Sequence, residues 1–173
     1  MRCVVVGLGV QGKKRRQFAR DDFVACVDPF NLDADFRDIS DVPLEAYDAA
    51  LLCIPDDPKV QLIGWLLDRG KHVLVEKPLF AADNAAIEDL QKRARDTGSV
   101  CYTAYNHRFE PHFERMRVLI ASGYLGRIYS CRMFYGNGTA RLVRESDWRD
   151  QGAGVLPDLG SHLLDTIKFW FGD

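Results

Sequence analysis

The chain has 173 residues, 47% hydrophobic and 28% charged, with a formal net charge of −2. This is the composition of a soluble globular protein of one or two domains, with enough apolar mass for a real core. The near balance of charge argues against nucleic acid or an anionic membrane surface as a partner. The one dense basic run, Lys13 to Arg16, reads first as a solvated helix face. Cysteine is odd in number, at Cys3, Cys26, Cys53, Cys101 and Cys131, with no C-x-x-C pair. Cys3, Cys26, Cys53 and Cys101 sit in apolar runs and read as small buried hydrophobes, which suits a reducing, cytoplasmic location. No apolar stretch approaches the ~20 residues of a membrane span. The N-terminus runs into a strand without a signal-peptide pattern.

In chain order, "RCVVVGLG" is a buried strand broken by glycine, and "VQGKKRRQFAR" follows with helix formers. "FVACVD" is a second strand ended by the turn chemistry of "DPFN". The acidic stretch that follows is too short for a crossover helix, and a short strand near Phe36 to Ile39 is expected there. "AALLCIP" is the next strand. Val60, Ile63, Leu66 and Leu67 then recur at helical spacing up to Gly70, a C-cap signal. "KHVLVEKP" is a strand, "DNAAIEDLQKRARDTG" a helix capped by Asp83 and stopped by Gly98, and "SVCYTAY" a strand again. Strands alternating with helices predict a parallel sheet covered on both faces over residues 1–105. Beyond Asn106 the rhythm changes to a helix over "PHFERMRVLIASG", one long strand over "GRIYSCRMFYGNG", and a helix over "PDLGSHLLDTIKFWFG" with Pro157 near its first turn. Residues 106–173 therefore read as the start of a second, α+β domain.

Gly7, Gly9 and Gly12 form G-x-G-x-x-G between a strand and a helix. In that context the first glycine allows a tight turn, the second admits a pyrophosphate against the backbone, and the third lets helix and strand pack closely. The helix start, Val10 and Gln11, supplies free N–H groups to phosphate. Asp28 stands about 20 residues on, at the end of the next strand, where its carboxylate accepts from ribose hydroxyls. A turn aspartate before proline is the plainer alternative. A carboxylate there repels a 2′-phosphate, and Pro29 and Phe30 add no cation, so NAD is favoured over NADP. Lys13 or Arg16 keeps NADP open.

Asp158, His162 and Asp165 recur at i, i+4 and i+7, one face of a helix. A histidine flanked by carboxylates is a candidate general base. A solvated polar face is an equal alternative, and Asp and His four apart also suit zinc, although no third ligand is evident.

These stretches resemble the glucose–fructose oxidoreductase/inositol dehydrogenase/rhizopine-catabolism (Gfo/Idh/MocA) family. The carrying motifs are "GLGVQG", "GKHVLVEKPL", "YNHRFEPHF", "GYLGRI" and "GAGVLPDLGSHLLD", in family order along essentially the whole chain. The resemblance implies a Rossmann, doubly wound parallel sheet followed by a substrate domain, here truncated, whose open sheet also forms homo-oligomers. It implies an NAD-dependent oxidoreductase moving a hydride between nicotinamide and a secondary alcohol of a sugar, cyclitol or sugar derivative. Lys77 corresponds to the lysine of "EKP", polarising the reacting oxygen. Asp158 and His162 correspond to the positioning aspartate and the base, with no metal. Lys77 and His162 are expected to reach one pocket from opposite domains. Ile54, Pro55, Glu76 and Asn106 are further cofactor candidates, and Arg108, Trp148 and Arg149 are substrate candidates. Pairing Glu76 with Lys77 is an alternative role for that glutamate. Where the family usually has T-P-N-x-x-H, this chain has Asp56 for the asparagine and Lys59 for the histidine. The segment after Asp28 is also shorter than is usual in the family. A dinucleotide-binding module or sensor without turnover, and an NAD-dependent glycosidase of the same fold, are the other readings.

Overall fold

β1 (Cys3–Val6) is apolar throughout and buried throughout, and the sheet assembles around it. In a computed structural model, which describes residues 1–136 and 156–172, the chain divides into two compact units, Met1–Ala104 and Tyr105–Asp173.

In the first unit, α1 (Val10–Ala19) follows β1 and leads to β2 (Phe23–Val27). Next come β3 (Ala49–Leu52), α2 (Lys59–Leu67), β4 (His72–Val75), α3 (Asn84–Thr97) and β5 (Cys101–Thr103). The sheet order is β2-β1-β3-β4-β5, every pair parallel. The fold is thus the Rossmann-type α/β sheet expected from the alternation. Side chains alternate across it, as a period of two requires. Val4 and Val6 join Ile63, Leu66 and Leu67 of α2 and Leu90 of α3 in the larger core, while Val5 joins Leu8 and Cys26 in a smaller cluster on the other face. Each fully buried aliphatic side chain contributes about 1.5–3 kcal/mol.

The caps behave as their chemistry dictates. Asp83 Oδ1 accepts from the Ala86 N–H at 2.9 Å, and Gly98 ends α3 in the left-handed region at φ +66°. Gly70 lies in the same region at φ +68°, three residues after α2. The strand expected near Phe36 to Ile39 is a correction. Phe36 makes one isolated parallel bridge to Val27, and Ile39–Asp41 is a 3₁₀ turn capped by Asp38. The segment is too short and too acidic to lay a further strand along β2.

The second unit holds α4 (Pro111–Ala121) and α5 (Ser161–Phe171). Pro111 opens α4 at its first turn, where a missing N–H costs nothing. Trp170 Nε1 donates to the Phe113 carbonyl at 3.0 Å and its ring lies 5.4 Å from that of Phe113, joining the two helices. A single π-helical turn, Leu156–Gly160, precedes α5, so Pro157 stands outside the α-helix proper. The long strand expected from Gly126 is not formed. Residues 126–136 carry no strand, and Tyr129 and Phe134 are exposed. Alternation alone does not make a strand where no neighbour among the described residues supplies ladder hydrogen bonds. Trp148 and Arg149 lie outside the described residues. Among the described residues no helix is long and apolar enough to cross a membrane.

Candidate functional site

Four sequence features end together at the carboxyl edge of the parallel sheet, where open α/β sheets bind ligands. They are the glycine loop after β1, Asp28 after β2, the Cys53–Lys59 turn after β3, and Glu76–Pro78 after β4.

The three glycines differ in what requires them. Gly7 has φ +88°, and a Cβ there would lie 2.4 Å from the Cys53 carbonyl oxygen. A Cβ on Gly12 would lie 1.7 Å from the Gly7 carbonyl oxygen. Both are demanded by the protein's own packing. Gly9 is not: its φ is −66°, open to any residue, and a Cβ there meets nothing within 4 Å. The space over Gly9 is the space a pyrophosphate needs. The first backbone bond of α1 runs from the Lys13 N–H to the Gly9 carbonyl at 3.0 Å, so the N–H groups of Val10, Gln11 and Gly12 have no intrahelical acceptor. The cradle therefore fits a dinucleotide.

Asp28 is bonded both to the glycine loop and within its own turn. Its Oδ2 accepts from the Leu8 N–H at 2.7 Å, and its Oδ1 accepts from Phe30 and Asn31, each at 2.9 Å. Burial opposes its charge, but these N–H groups and nearby Arg37 outweigh it and hold the carboxyl below the usual range. Three of roughly four acceptor positions are thus occupied from within the protein, leaving about one for a further donor. The sequence reading missed Arg37, whose Nη1 donates to the carbonyls of Asn31 at 2.6 Å and Asp28 at 3.3 Å.

Glu76 is committed to a partner other than Lys77. Arg15 of α1 donates to its Oε1 through Nε at 2.7 Å and through Nη2 at 2.6 Å, tying the glycine-loop helix to β4. Lys13, Lys14 and Arg16 are exposed, as a solvated face predicts, while Arg15 turns inward. Lys77 is half-buried, and its peptide bond to Pro78 is cis. Ile54, at the end of β3, has its Cγ2 3.1 Å from a Cβ built on Gly7. Pro55, next to it, is exposed. Burial, with the charge of Glu76 adding, pushes the Cys53 thiol up to about 12, and burial pushes Cys101 up to about 11. Both side chains are half-buried rather than fully buried.

In the second unit, His162 is buried. Its ring lies 4.6 Å from that of His107, 5.7 Å from Tyr105 and 5.8 Å from Tyr135. Burial raises the Tyr105 phenol above its ordinary range, against an opposing bond with Ser161. Glu110 holds His107 through Nδ1 at 2.6 Å. Of the expected row of Asp158, His162 and Asp165, the last is bonded by an arginine. Asp165 is taken by Arg108, whose Nε and Nη2 donate to it at 2.6–3.0 Å, and Arg108 also lies over Phe169. Arg108 is therefore tied into the packing of α5, and Asp158 sits in the π turn before that helix. Asn106 is exposed and donates to Glu110 at 3.2 Å. His107 and Glu110 stand at i and i+3 within "YNHRFEPHF", a spacing that signals their pairing. Among the described residues no group of three or more His, Cys, Asp or Glu side chains is arranged to hold a metal ion.

Residues 5–105 match a family model described as an oxidoreductase family with an NAD-binding Rossmann fold, and residues 113–173 match the GFO/IDH/MocA C-terminal domain. Trans-1,2-dihydrobenzene-1,2-diol dehydrogenase of Bos taurus is 35% identical over 106 residues, covering 61% of this chain and 31% of its own length. Inositol 2-dehydrogenase of Rhizobium meliloti is 28% identical over 126 residues, covering 73% of this chain and 37% of its own. The chain thus spans about a third of the curated relatives it matches. The crystal structure of scyllo-inositol dehydrogenase from Lactobacillus casei with bound NAD(H) and scyllo-inositol superimposes with a TM-score of 0.78 at 23% identity, covering 99% of this chain and 56% of that one. At that identity the likeness speaks for the fold.

Proposed function

Because the chain belongs to the GFO/IDH/MocA oxidoreductase family, we propose that it serves NAD-dependent hydride transfer to or from a secondary alcohol of a sugar, cyclitol or related diol. Gly9 carries this reading. It is a glycine that neither its backbone angle nor its neighbours require, placed where a pyrophosphate would lie. The glycine loop, the N–H groups opening α1, and Asp28 would hold the dinucleotide. When bound, the nicotinamide supplies the hydride acceptor or donor. The charge of Asp28 favours NAD over NADP.

The protein's own part is positioning and proton handling, which is most of what hydride transfer asks of a protein. Lys77 polarises the reacting oxygen, the His162 imidazole takes the hydroxyl proton, and Asp158 orients the substrate. The buried aromatic surroundings of His162 support the base assignment, since they keep water from competing for the proton. A cytoplasmic location fits five free cysteines. Homo-oligomer formation through the second unit fits the exposure of Val118, Tyr124 and Leu164 there.

The test is NADH formation with a panel of inositols, sugars and trans-dihydrodiols. Lys77→Ala and His162→Ala should each lower kcat/KM about 100-fold or more while NADH still binds. Turnover unchanged in both variants would sink the assignment. NADH binding with no turnover of any panel member would favour a binding module instead.

A further inference from the structure

Lys59 opens α2, and its side chain is only 2% exposed. Its Nζ donates to Asp56 Oδ1 at 2.6 Å, to the Glu76 carbonyl at 2.9 Å and to the Pro78 carbonyl at 2.7 Å. An ammonium has three N–H groups, so this donor set is complete. Two of its three acceptors are the carbonyls on either side of Lys77.

The placement is unfavourable for α2 itself. A cation in the first turn of a helix opposes the helix dipole, and burying a charge is costly unless it is paired and hydrogen-bonded. Asp56 offsets the charge, but neither the helix nor the apolar core gains from an ammonium here. The segment that gains is Glu76–Pro78, whose carbonyls would otherwise point into the protein unmet. The Glu76 N–H also donates to the Leu52 carbonyl at 2.9 Å, and the Glu76 carboxylate accepts from Arg15. Both of these bonds are made by Glu76, on the N-terminal side of Lys77.

We propose that Lys59 is a positioning residue, its buried ammonium clamping the backbone on both flanks of Lys77 so that the Lys77 amine is presented from one fixed arrangement. The clamp is a property of the first unit alone. Only the use made of Lys77 rests on the functional reading above. Asp56 and Lys59, which depart from the family's usual residues, are then a matched pair, the carboxylate balancing the clamp's charge.

The experiment is amide hydrogen exchange by mass spectrometry on the full chain, with NADH binding by fluorescence measured alongside. Lys59→Met, of similar volume but uncharged, should speed exchange at residues 76–81 about tenfold or more, with β1 and β3 unaltered. Lys59→Ala should do the same. Propylammonium chloride should return its exchange towards the parent rate, which sodium chloride at equal ionic strength should not. Should neither variant fold, Asp56→Asn, which keeps the ammonium but removes its balancing charge, should speed exchange at 76–81 about threefold. Exchange unchanged at 76–81, exchange raised evenly across the first unit, or no response to propylammonium overturns the clamp. Parent protein that fails to bind NADH while the clamp behaves as expected overturns the functional reading alone. NADH binding with unaltered exchange in the variants overturns the clamp alone.

Discussion

The Asp28 carboxylate holds the Leu8 N–H at 2.7 Å, so the end of β2 is stitched to the glycine loop that follows β1. The same carboxylate closes the turn after itself through Phe30 and Asn31. Its charge is therefore structural as well as a candidate contact for ribose. The folded-state pKa lies below the ordinary value. A depressed carboxyl pKa contributes stability that is present above the unfolded-state value and is lost as pH falls through the folded one. Stability to urea should fall below about pH 4, and part of that loss should vanish in Asp28→Asn. At neutral pH that variant should be less stable by on the order of 1–3 kcal/mol and should bind NADH more weakly. Equal stability of the two proteins at pH 7 would contradict the stitching role.

Gly9 and Gly12 separate binding from folding. Gly9→Ala should leave thermal stability within a few degrees of the parent, because its Cβ meets nothing in the protein, and should weaken NADH binding at least about tenfold. Gly12→Ala should lower stability sharply, since its Cβ would collide with the Gly7 carbonyl. Calorimetric melting and NADH titration of both variants distinguish the two effects. A Gly9→Ala protein that binds NADH normally would remove the main support for the dinucleotide site.

Arg15 and Glu76 join α1 to the end of β4 with side chains that are 30% and 14% exposed. Arg15→Ala leaves a mostly buried carboxylate without its guanidinium. We expect a loss of about 1–3 kcal/mol in chemical denaturation. Lys14→Ala, on the solvated side of the same helix, should stay within about 0.5 kcal/mol of the parent.

Thiol reactivity should follow exposure and burial. Cys131 is exposed, whereas Cys53 and Cys101 have thiols pushed up to about 12 and about 11. In folded protein at pH 8, iodoacetamide should label Cys131 first and leave Cys53 and Cys101 largely unmodified, because the thiolate is the nucleophile. Peptide mapping after a short pulse measures this. Early labelling of Cys53 would contradict its packing beside the glycine loop.

Asp165→Asn should cost about 1–3 kcal/mol, as the two-point bond from Arg108 is lost. Its effect should show as faster amide exchange in α5. Arg108→Lys should have a similar effect, because an ammonium cannot reproduce the planar fork. If Arg108→Lys altered only the KM for an alcohol substrate and left exchange in α5 untouched, Arg108 would be a substrate contact after all.

The parallel sheet was legible from the residues because buried strands and amphipathic helices differ in period, and glycine, proline and capping residues mark where each ends. Gly7, Gly9 and Gly12 could be located from the motif. That the protein's own packing requires Gly7 and Gly12 but not Gly9 emerged only when the surrounding atoms were in place. The region after Tyr105 was less legible. An alternating pattern at 126–136 is a necessary condition for a strand but not a sufficient one, since the ladder depends on a neighbour far along the chain.

By itself the sequence determined the five strands of the parallel sheet, the helices that alternate with them and the residue types that follow each strand, because these follow from local periodicity and connection rules. Pairings over long separations were decided by the tertiary structure. Arg15 finds Glu76 across 61 positions and Arg108 finds Asp165 across 57. Lys59, which in the sequence is a departure next to Asp56, becomes the buried contact on both sides of Lys77. A charged residue's partner is chosen by which acceptors the fold leaves unmet within its reach, and that is known only once the backbone has closed around it.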